Sequence, residues 1–96
     1  MINYLVEFLG TFVFLSVIVA TGQPVLIVLA LLLAILVGGS ISGGHFNPAV
    51  SVMFYAKGAL SSLDLGGYIL AQVLGGLAAL GVYTALTKKR NNTASY

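Results

Sequence analysis

The sequence predicts an all-α membrane protein with three transmembrane helices and one shorter, re-entrant half-helix. Hydrophobic residues make up 59% of the 96 residues and charged residues 6%, whereas a soluble domain carries about 25% charge. No charged residue occurs between Glu7 and Lys57, and breaks rich in glycine and proline divide this stretch. This number of charges is too small to cover the surface of a water-soluble protein. We therefore expect a multi-pass integral membrane protein.

The composition also excludes several classes of function. Without cysteine, the chain cannot form a disulfide framework or a thiolate metal site. One histidine and two acidic residues, Glu7 and Asp64, argue against a hydrolytic or metal-dependent enzyme, and no cofactor is expected. The basic cluster Lys88-Lys89-Arg90 is too short for a nucleic-acid surface and is typical of a juxtamembrane anchor.

The uncharged stretch at residues 8–56 is too long for one span, because a bilayer core needs about 20 apolar residues, and two breaks divide it. The turn at residues 22–24 separates the first two segments, with Pro24 at the first helical position of the second. The first segment lacks a basic start and a clean cleavage site, so we interpret it as a span and not a signal peptide. The predicted spans are residues 3–21, 24–37 and 65–87, in a membrane domain over 1–87 that is followed by a polar basic tail over 88–96.

The segment at residues 38–58 has the pattern of a re-entrant loop and half-helix. Asn47 is a favourable helix cap and Pro48 fits the first helical position, whereas Lys57 and Gly58 are favourable at a helix end. Ten residues span about 15 Å, half of a bilayer core of about 30 Å. The glycine-rich stretch before Asn47 is irregular, and irregular backbone at this depth needs protein or a water-filled cavity around it. The sequence therefore predicts a cavity near the midplane.

Small residues recur at every fourth position of the second and third spans. Such stripes allow helix backbones to approach closely in lipid, although the stripes alone do not identify which helices pack together. The predicted packing residues are Ala30, Ala34 and Gly38 in the second span and Gly67, Ala71, Gly75 and Ala79 in the third.

The stretch SGGHFNPAVS at residues 42–51 resembles the signature of the aquaporin and aquaglyceroporin family, also called the major intrinsic proteins. Residues 7–12 resemble the family's first helix and residues 68–75 its third, so the resemblance covers about residues 3–87. Family members have six spans and two inverted repeats, whereas this chain resembles the first repeat only. The resemblance therefore implies half of an aquaporin fold.

The resemblance also implies roles for individual residues in a pore. Asn47 would donate side-chain N–H groups to solute at the pore centre, and Pro48 and Ala49 would meet the equivalent residues of a second repeat. The acceptors along one half of the pore would be the backbone carbonyls of Gly43, Gly44 and His45. The His45 imidazole would brace the loop through a backbone hydrogen bond.

The resemblance further implies that two polar residues inside the spans brace this loop, with Glu7 accepting hydrogen bonds from the loop backbone and Gln72 donating to it. An inward position for both agrees with the rule that intramembrane polar groups usually have partners. The alternative for Glu7 is that it reaches the lipid headgroups near the start of the chain.

The resemblance also locates two filter positions. Ile27, twenty residues before Asn47, stands where the family often has an aromatic residue or histidine, and Val50 stands where the second repeat usually has arginine. With both positions apolar, strict selectivity for water is not expected.

The expected function is passive permeation of water and of small neutral solutes such as glycerol. A single file of donors and acceptors that replaces lost hydration needs no catalytic group. One chain supplies one half-helix, so a pore requires two chains in an inverted pair, and four pairs would match the family's tetramer. The basic cluster outnumbers Lys57 three to one, which favours a cytoplasmic C-terminus, whereas an inverted homodimer needs both orientations.

Three alternatives remain open at this point. In the first, the chain is a heteromeric half-subunit that needs a second-repeat partner. In the second, it is a non-conducting protein that modulates a full-length channel, and in the third it is a truncated fragment. The retained SGGHFNPAV stretch argues against a non-conducting role, and the basic cluster with its polar tail is typical of a natural terminus.

Overall fold

A computed structural model describes the backbone of residues 1–94 and the side chains of residues 1–90. Its described part folds as four helices, which confirms the all-α prediction: α1 (Ile2–Thr21), α2 (Pro24–Ser42), α3 (Pro48–Lys57) and α4 (Ser62–Ala94). Helices α1 and α2, and α4 from Ser62 to Arg90, are long and apolar enough to cross a bilayer. The predicted multi-pass membrane protein is therefore confirmed.

Helix α2 continues five residues beyond its expected end at Val37. It includes Gly38 and Gly39 and stops at Ser42, where Gly43 adopts a left-handed conformation with φ of 91°. The missing side chain of Gly38 lets α1 approach, because a Cβ there would lie 2.6 Å from Cγ1 of Val6. Close packing and the lack of competing water in lipid offset the low helix propensity of glycine.

Helix α3 begins directly after Asn47, whose side-chain Oδ1 accepts a hydrogen bond from the Ala49 amide at 2.9 Å. It ends at Lys57, because Gly58 takes a left-handed conformation with φ of 89°. Ten residues make α3 about 15 Å long, half the length of a membrane-spanning helix.

Helix α4 is longer than the expected span at residues 65–87. The Ser61 hydroxyl accepts from the Asp64 amide at 3.1 Å, so the helix begins at Ser62. At its other end the helix passes through the basic cluster to Ala94, since lysine and arginine are good helix formers. The expected tail at 88–96 is thus helical as far as Ala94, and its last two residues lie outside the described part. At 33 residues α4 is about 50 Å long, so it extends beyond a core of about 30 Å.

Helix α1 is the central element of the arrangement. It packs against both α2 and α4, whereas α3 packs against α4 alone. Tyr4 lies beside Gly67 and Leu15 beside Gly76, so α1 and α4 run parallel. The half-helix α3 is therefore held on the outer helix α4 and not on the α1–α2 pair.

The two stripes of small residues lie on the faces of α2 and α4 that pack against α1. On α4, a Cβ at Gly75 would lie 2.7 Å from the Phe8 carbonyl oxygen, a contact between two backbones. Contacts of this kind take the place of a hydrophobic driving force between helices in lipid. Of the seven expected packing residues, Ala30, Gly38, Ala71, Gly75 and Ala79 are buried and Ala34 and Gly67 are half-buried.

We expect Gly75→Ala to destabilise the helix packing. The new methyl group would meet backbone atoms of Phe8 and Phe12 at 2.7 and 3.2 Å, and such overpacking costs about 1–3 kcal/mol. Thermal unfolding in detergent, followed by circular dichroism, measures the change. The matched control is Gly81→Ala on the same helix, where no heavy atom lies within 4 Å of a Cβ. Equal melting temperatures for the two variants would contradict the packing described.

Candidate functional site

The loop between α2 and α3, residues 43–47, has an unusual backbone. Gly43, Gly44 and Phe46 all have positive φ, at 91°, 66° and 52°. Phe46 is the only non-glycine residue among residues 1–94 with this conformation. Its ring is 2% exposed and packs on Gly10, where a Cβ would lie 2.1 Å from a ring carbon. Burial of the ring against α1 therefore holds a strained backbone in place.

A buried carboxylate on α1 holds this loop. Oε2 of Glu7 accepts from the Ser42 hydroxyl at 2.7 Å and from the His45 amide at 3.0 Å. Oε1 accepts from the Phe46 amide at 2.8 Å and from Nε2 of Gln72 at 2.9 Å. Glu7 is fully buried, so it does not reach the headgroups. Four donors around two oxygens satisfy the carboxylate and two loop amides together.

Gln72 contacts different partners from those expected. Its Nε2 donates to Glu7 Oε1 and to the Ser51 hydroxyl, both at 2.9 Å, and not to the loop backbone. The reason is that Glu7 Oε1 and the Ser51 hydroxyl lie within reach of Nε2 and take both of its hydrogens. Gln72 therefore orients the carboxylate and the start of α3.

The His45 ring is fixed by side chains and not by the expected backbone bond. Its Nδ1 lies 2.8 Å from the Ser51 hydroxyl, and the ring stacks on Phe54 with 4.8 Å between centroids. Tyr68 meets the His45 ring edge-on, with centroids 5.0 Å apart, and donates to the Ser42 carbonyl at 2.5 Å. The ring therefore anchors the loop to α3 and α4.

Three residues of this network were not identified from the sequence: Ser42, Ser51 and Tyr68. Each is buried and makes at least one hydrogen bond within it. A sequence signal existed for the two serines, which stand at the two ends of SGGHFNPAVS, because a buried serine in lipid needs a hydrogen-bond partner.

Asn47 lies at the open end of this network. Its Oδ1 is committed to the Ala49 amide, and its Nδ2 donates to no atom among residues 1–90, whose side chains the structure describes. Asn47, Pro48 and Ala49 are all exposed. In the same part of the chain, no donor bonds the carbonyls of Gly43, Gly44 or His45. Free amide donors and free carbonyl acceptors therefore lie next to each other at the start of α3.

The structure does not bring the two expected filter residues together. Val50 is half-buried in the first turn of α3. Ile27 is half-buried in the first turn of α2. Ile35, which contacts Gly44 of the loop, lies eight residues further along the same helix, a distance of about 12 Å. The two positions therefore lie at different heights relative to the loop.

We expect Glu7→Gln to release the loop. The amide would present an NH2 group to two of the four donors, and each stranded buried donor costs about 1–3 kcal/mol. Hydrogen exchange followed by mass spectrometry should show faster exchange of the His45 and Phe46 amides, together with a lower melting temperature. Thr11→Val is the control on the next turn, because the buried Thr11 hydroxyl has no partner within the described residues. Unchanged loop exchange in Glu7→Gln would contradict the bracing role.

Comparison with known proteins identifies the family of the chain. The chain matches the Major intrinsic protein family over residues 1–96. It is 47% identical over 86 residues to the "Glycerol uptake facilitator protein-like 6" of Lactiplantibacillus plantarum, a match that covers 80% of this chain and 40% of that protein. It is 38% identical over 91 residues to "Aquaporin Z" of Photorhabdus laumondii, covering 79% and 39%. It is 49% identical over 69 residues to "Aquaporin Z" of Brucella melitensis, covering 72% and 28%.

The chain spans about two-fifths of the length of the first two relatives. No solved structure matches it significantly. The match over the whole sequence, with the spans and the braced loop, shows that the chain belongs to the major intrinsic protein family.

Proposed function

We propose that the chain forms half of a passive transmembrane channel for water and small neutral solutes such as glycerol. In this proposal Asn47, Pro48 and Ala49 lie at the centre of the pore. The carbonyls of Gly43, Gly44 and His45 line one half of the path, and Glu7 and Gln72 keep the loop in place.

The geometry of Asn47 is the observation that carries the proposal. A helix cap fixes Oδ1 on the Ala49 amide, so the orientation of the side-chain amide is set by its own helix. The Nδ2 hydrogens are unused by the described residues. A fixed donor that is exposed in a membrane-spanning protein is suited to bind a passing solute oxygen.

The neighbouring backbone supplies the complementary groups. Three consecutive carbonyls without donors offer a passing hydroxyl or water molecule the acceptors that it loses on leaving bulk water. The N-terminal end of α3 carries a partial positive charge, so it opposes the entry of cations. Neutral solutes that both donate and accept are favoured.

A second half is needed to enclose the path. The tip of α3, at Pro48 and Ala49, is exposed, and α3 packs on α4 alone. A half-length apolar helix that ends at mid-depth must meet protein or water there. In the proposal an inverted second copy supplies the other half, so that two Asn47 residues face each other, and four such pairs form the assembly.

The filter positions bear on the solute. Ile27 and Val50 place apolar side chains where a selective water filter would have polar or aromatic ones, which supports passage of solutes larger than water. Relatives named as a glycerol uptake facilitator-like protein and an aquaglyceroporin, at 47% and 45% identity, point in the same direction.

Osmotic shrinkage of liposomes tests the channel. We expect vesicles that contain the purified chain to shrink faster than empty ones in stopped-flow light scattering. Asn47→Asp should lower the rate of shrinkage by about tenfold or more, because raising the activation free energy of permeation by about 1.4 kcal/mol already lowers the rate tenfold. Aspartate is also a good helix cap, so α3 should persist.

Ser62→Asp adds the same charge at the exposed start of α4, where an acidic residue is favourable, so it is the control and should shrink like the unchanged chain. If the folded, inserted chain conducts no faster than empty liposomes, it is not a self-sufficient channel. If Asn47→Asp conducts as fast as the unchanged chain, the path does not pass Asn47.

Cysteine crosslinking tests the inverted pair, since the chain has no native cysteine. In an inverted pair the two Ala49 residues meet at mid-depth, so Ala49→Cys should form a disulfide-linked dimer under mild oxidation. The Lys57→Cys control lies at the other end of α3, and its two copies would be on opposite faces of the bilayer. Crosslinks at Lys57→Cys without any at Ala49→Cys would show parallel neighbours and exclude the inverted arrangement.

A further inference from the structure

The basic cluster Lys88-Lys89-Arg90 lies on a part of α4 that is not packed into the helix bundle. Among the residues of α4 whose side chains are described, the last buried one is Ala79, at 2% exposed. Every residue at positions 80–86 is exposed. Seven consecutive residues cover all sides of a helix, which has 3.6 residues per turn. Helix α4 is therefore open to its surroundings on every side where it approaches the cluster.

The length of α4 places the cluster at the depth of the lipid headgroups. Lys88 follows Asp64, in the first turn of α4, by 24 residues, which is about 36 Å of helix. The hydrocarbon core of a bilayer is about 30 Å thick, and the bilayer with its headgroups is about 40–45 Å thick. Because charges are costly in hydrocarbon, the span keeps both residues outside the core, each by about 3 Å. Lys88 therefore lies in the headgroup layer, and Arg90 follows at its outer edge.

The direction of the side chains turns the cations towards the bilayer. In an α-helix each Cα–Cβ bond is tilted towards the N-terminus of the helix, which for the cluster is the membrane side. Lysine and arginine lay their methylene groups along apolar surface and keep the charged end in a polar layer. Leu86, one turn before Arg90 and 63% exposed, offers such a surface. The charged groups are therefore directed at the headgroups and not at bulk water.

The acidic side chains of the chain lie far from the cluster. The chain has two of them, Glu7 and Asp64. Glu7 is buried and bonded to the loop, and Asp64 stands at the opposite end of α4, where it accepts from the Tyr4 hydroxyl at 2.6 Å. The side chains of the chain therefore leave this end of α4 with a net positive charge. Lys89 already has an interaction within the chain, so we assign the binding of external anions to Lys88 and Arg90.

We propose that Lys88 and Arg90 bind the headgroups of anionic phospholipids. Two residues apart on a helix, they point about 160° away from each other, so they contact two different lipid molecules. The phosphate oxygens accept from the ammonium group and, in pairs, from the guanidinium fork. An anionic headgroup adds the net negative charge that a zwitterionic headgroup lacks, so it is preferred. This binding does not depend on whether the chain conducts solute.

Electron paramagnetic resonance with spin-labelled phospholipids tests the proposal in vesicles that contain the full chain. At low salt we expect phosphatidylglycerol to associate with the protein at least about twofold more strongly than phosphatidylcholine. Lys88→Gln combined with Arg90→Gln should bring this ratio close to one, and glutamine is a good helix former, so α4 should persist. The matched control combines Lys88→Arg with Arg90→Lys, which keeps both charges and should keep the ratio.

Two results would overturn the proposal. One is a ratio of one for the unchanged chain, and the other is a ratio that survives in the double glutamine variant, since other cations such as Lys57 would then attract the lipid. Salt at about 1 M, where the Debye length is about 3 Å, should lower the ratio of the unchanged chain. Sodium phosphate and sodium chloride at equal ionic strength should act equally. A stronger effect of phosphate would show that Lys88 and Arg90 bind free phosphate and not the lipid headgroup.

Discussion

The hydrogen bonding of Glu7 is the constraint on which the rest of the structure depends. A loop with free amides cannot lie at membrane depth, since an unsatisfied backbone group in hydrocarbon costs several kcal/mol. Glu7 accepts from two loop amides, and its remaining acceptor capacity is taken by Ser42 and Gln72. With the amide groups turned inward to α1, the carbonyls of the same peptides are free to face the other way. The polarity of the proposed path is thus a consequence of where the N–H groups are bound.

Helix α1 can supply this carboxylate because its neighbours come unusually close. Gly75 brings the α4 backbone against Phe8, and Gly10 leaves room for the Phe46 ring. The loop is therefore clamped from two directions, by hydrogen bonds to Glu7 and by an aromatic ring on α1. Neither clamp would reach the loop if the helices were separated by ordinary side chains.

The features that could be predicted from the sequence are those with a local signal. A span is indicated by its apolar length, and the start of α3 by Asn47 and Pro48, because capping and proline effects act within a few residues. The end of α2 could not be predicted, because Gly38 and Gly39 have low helix propensity and the close approach of Val6 to Gly38 has no local signal. The predicted partners of Gln72 were wrong for the same reason. Its two acceptors lie 21 and 65 residues away in the sequence, so their positions depend on tertiary structure. The role of Phe46 has no local signal.

The sequence separations within the Glu7 network have a consequence for assembly. Glu7 is synthesised before all four of its partners, which follow 35, 38, 39 and 65 residues later. When α1 first enters the bilayer, its carboxylate has none of them. Because an unpartnered carboxylate in the bilayer core is costly, we expect α1 to stay beside the insertion machinery until α4 emerges. Insertion of these helices is therefore expected to be concerted, with α1, the loop and α4 leaving the translocon together.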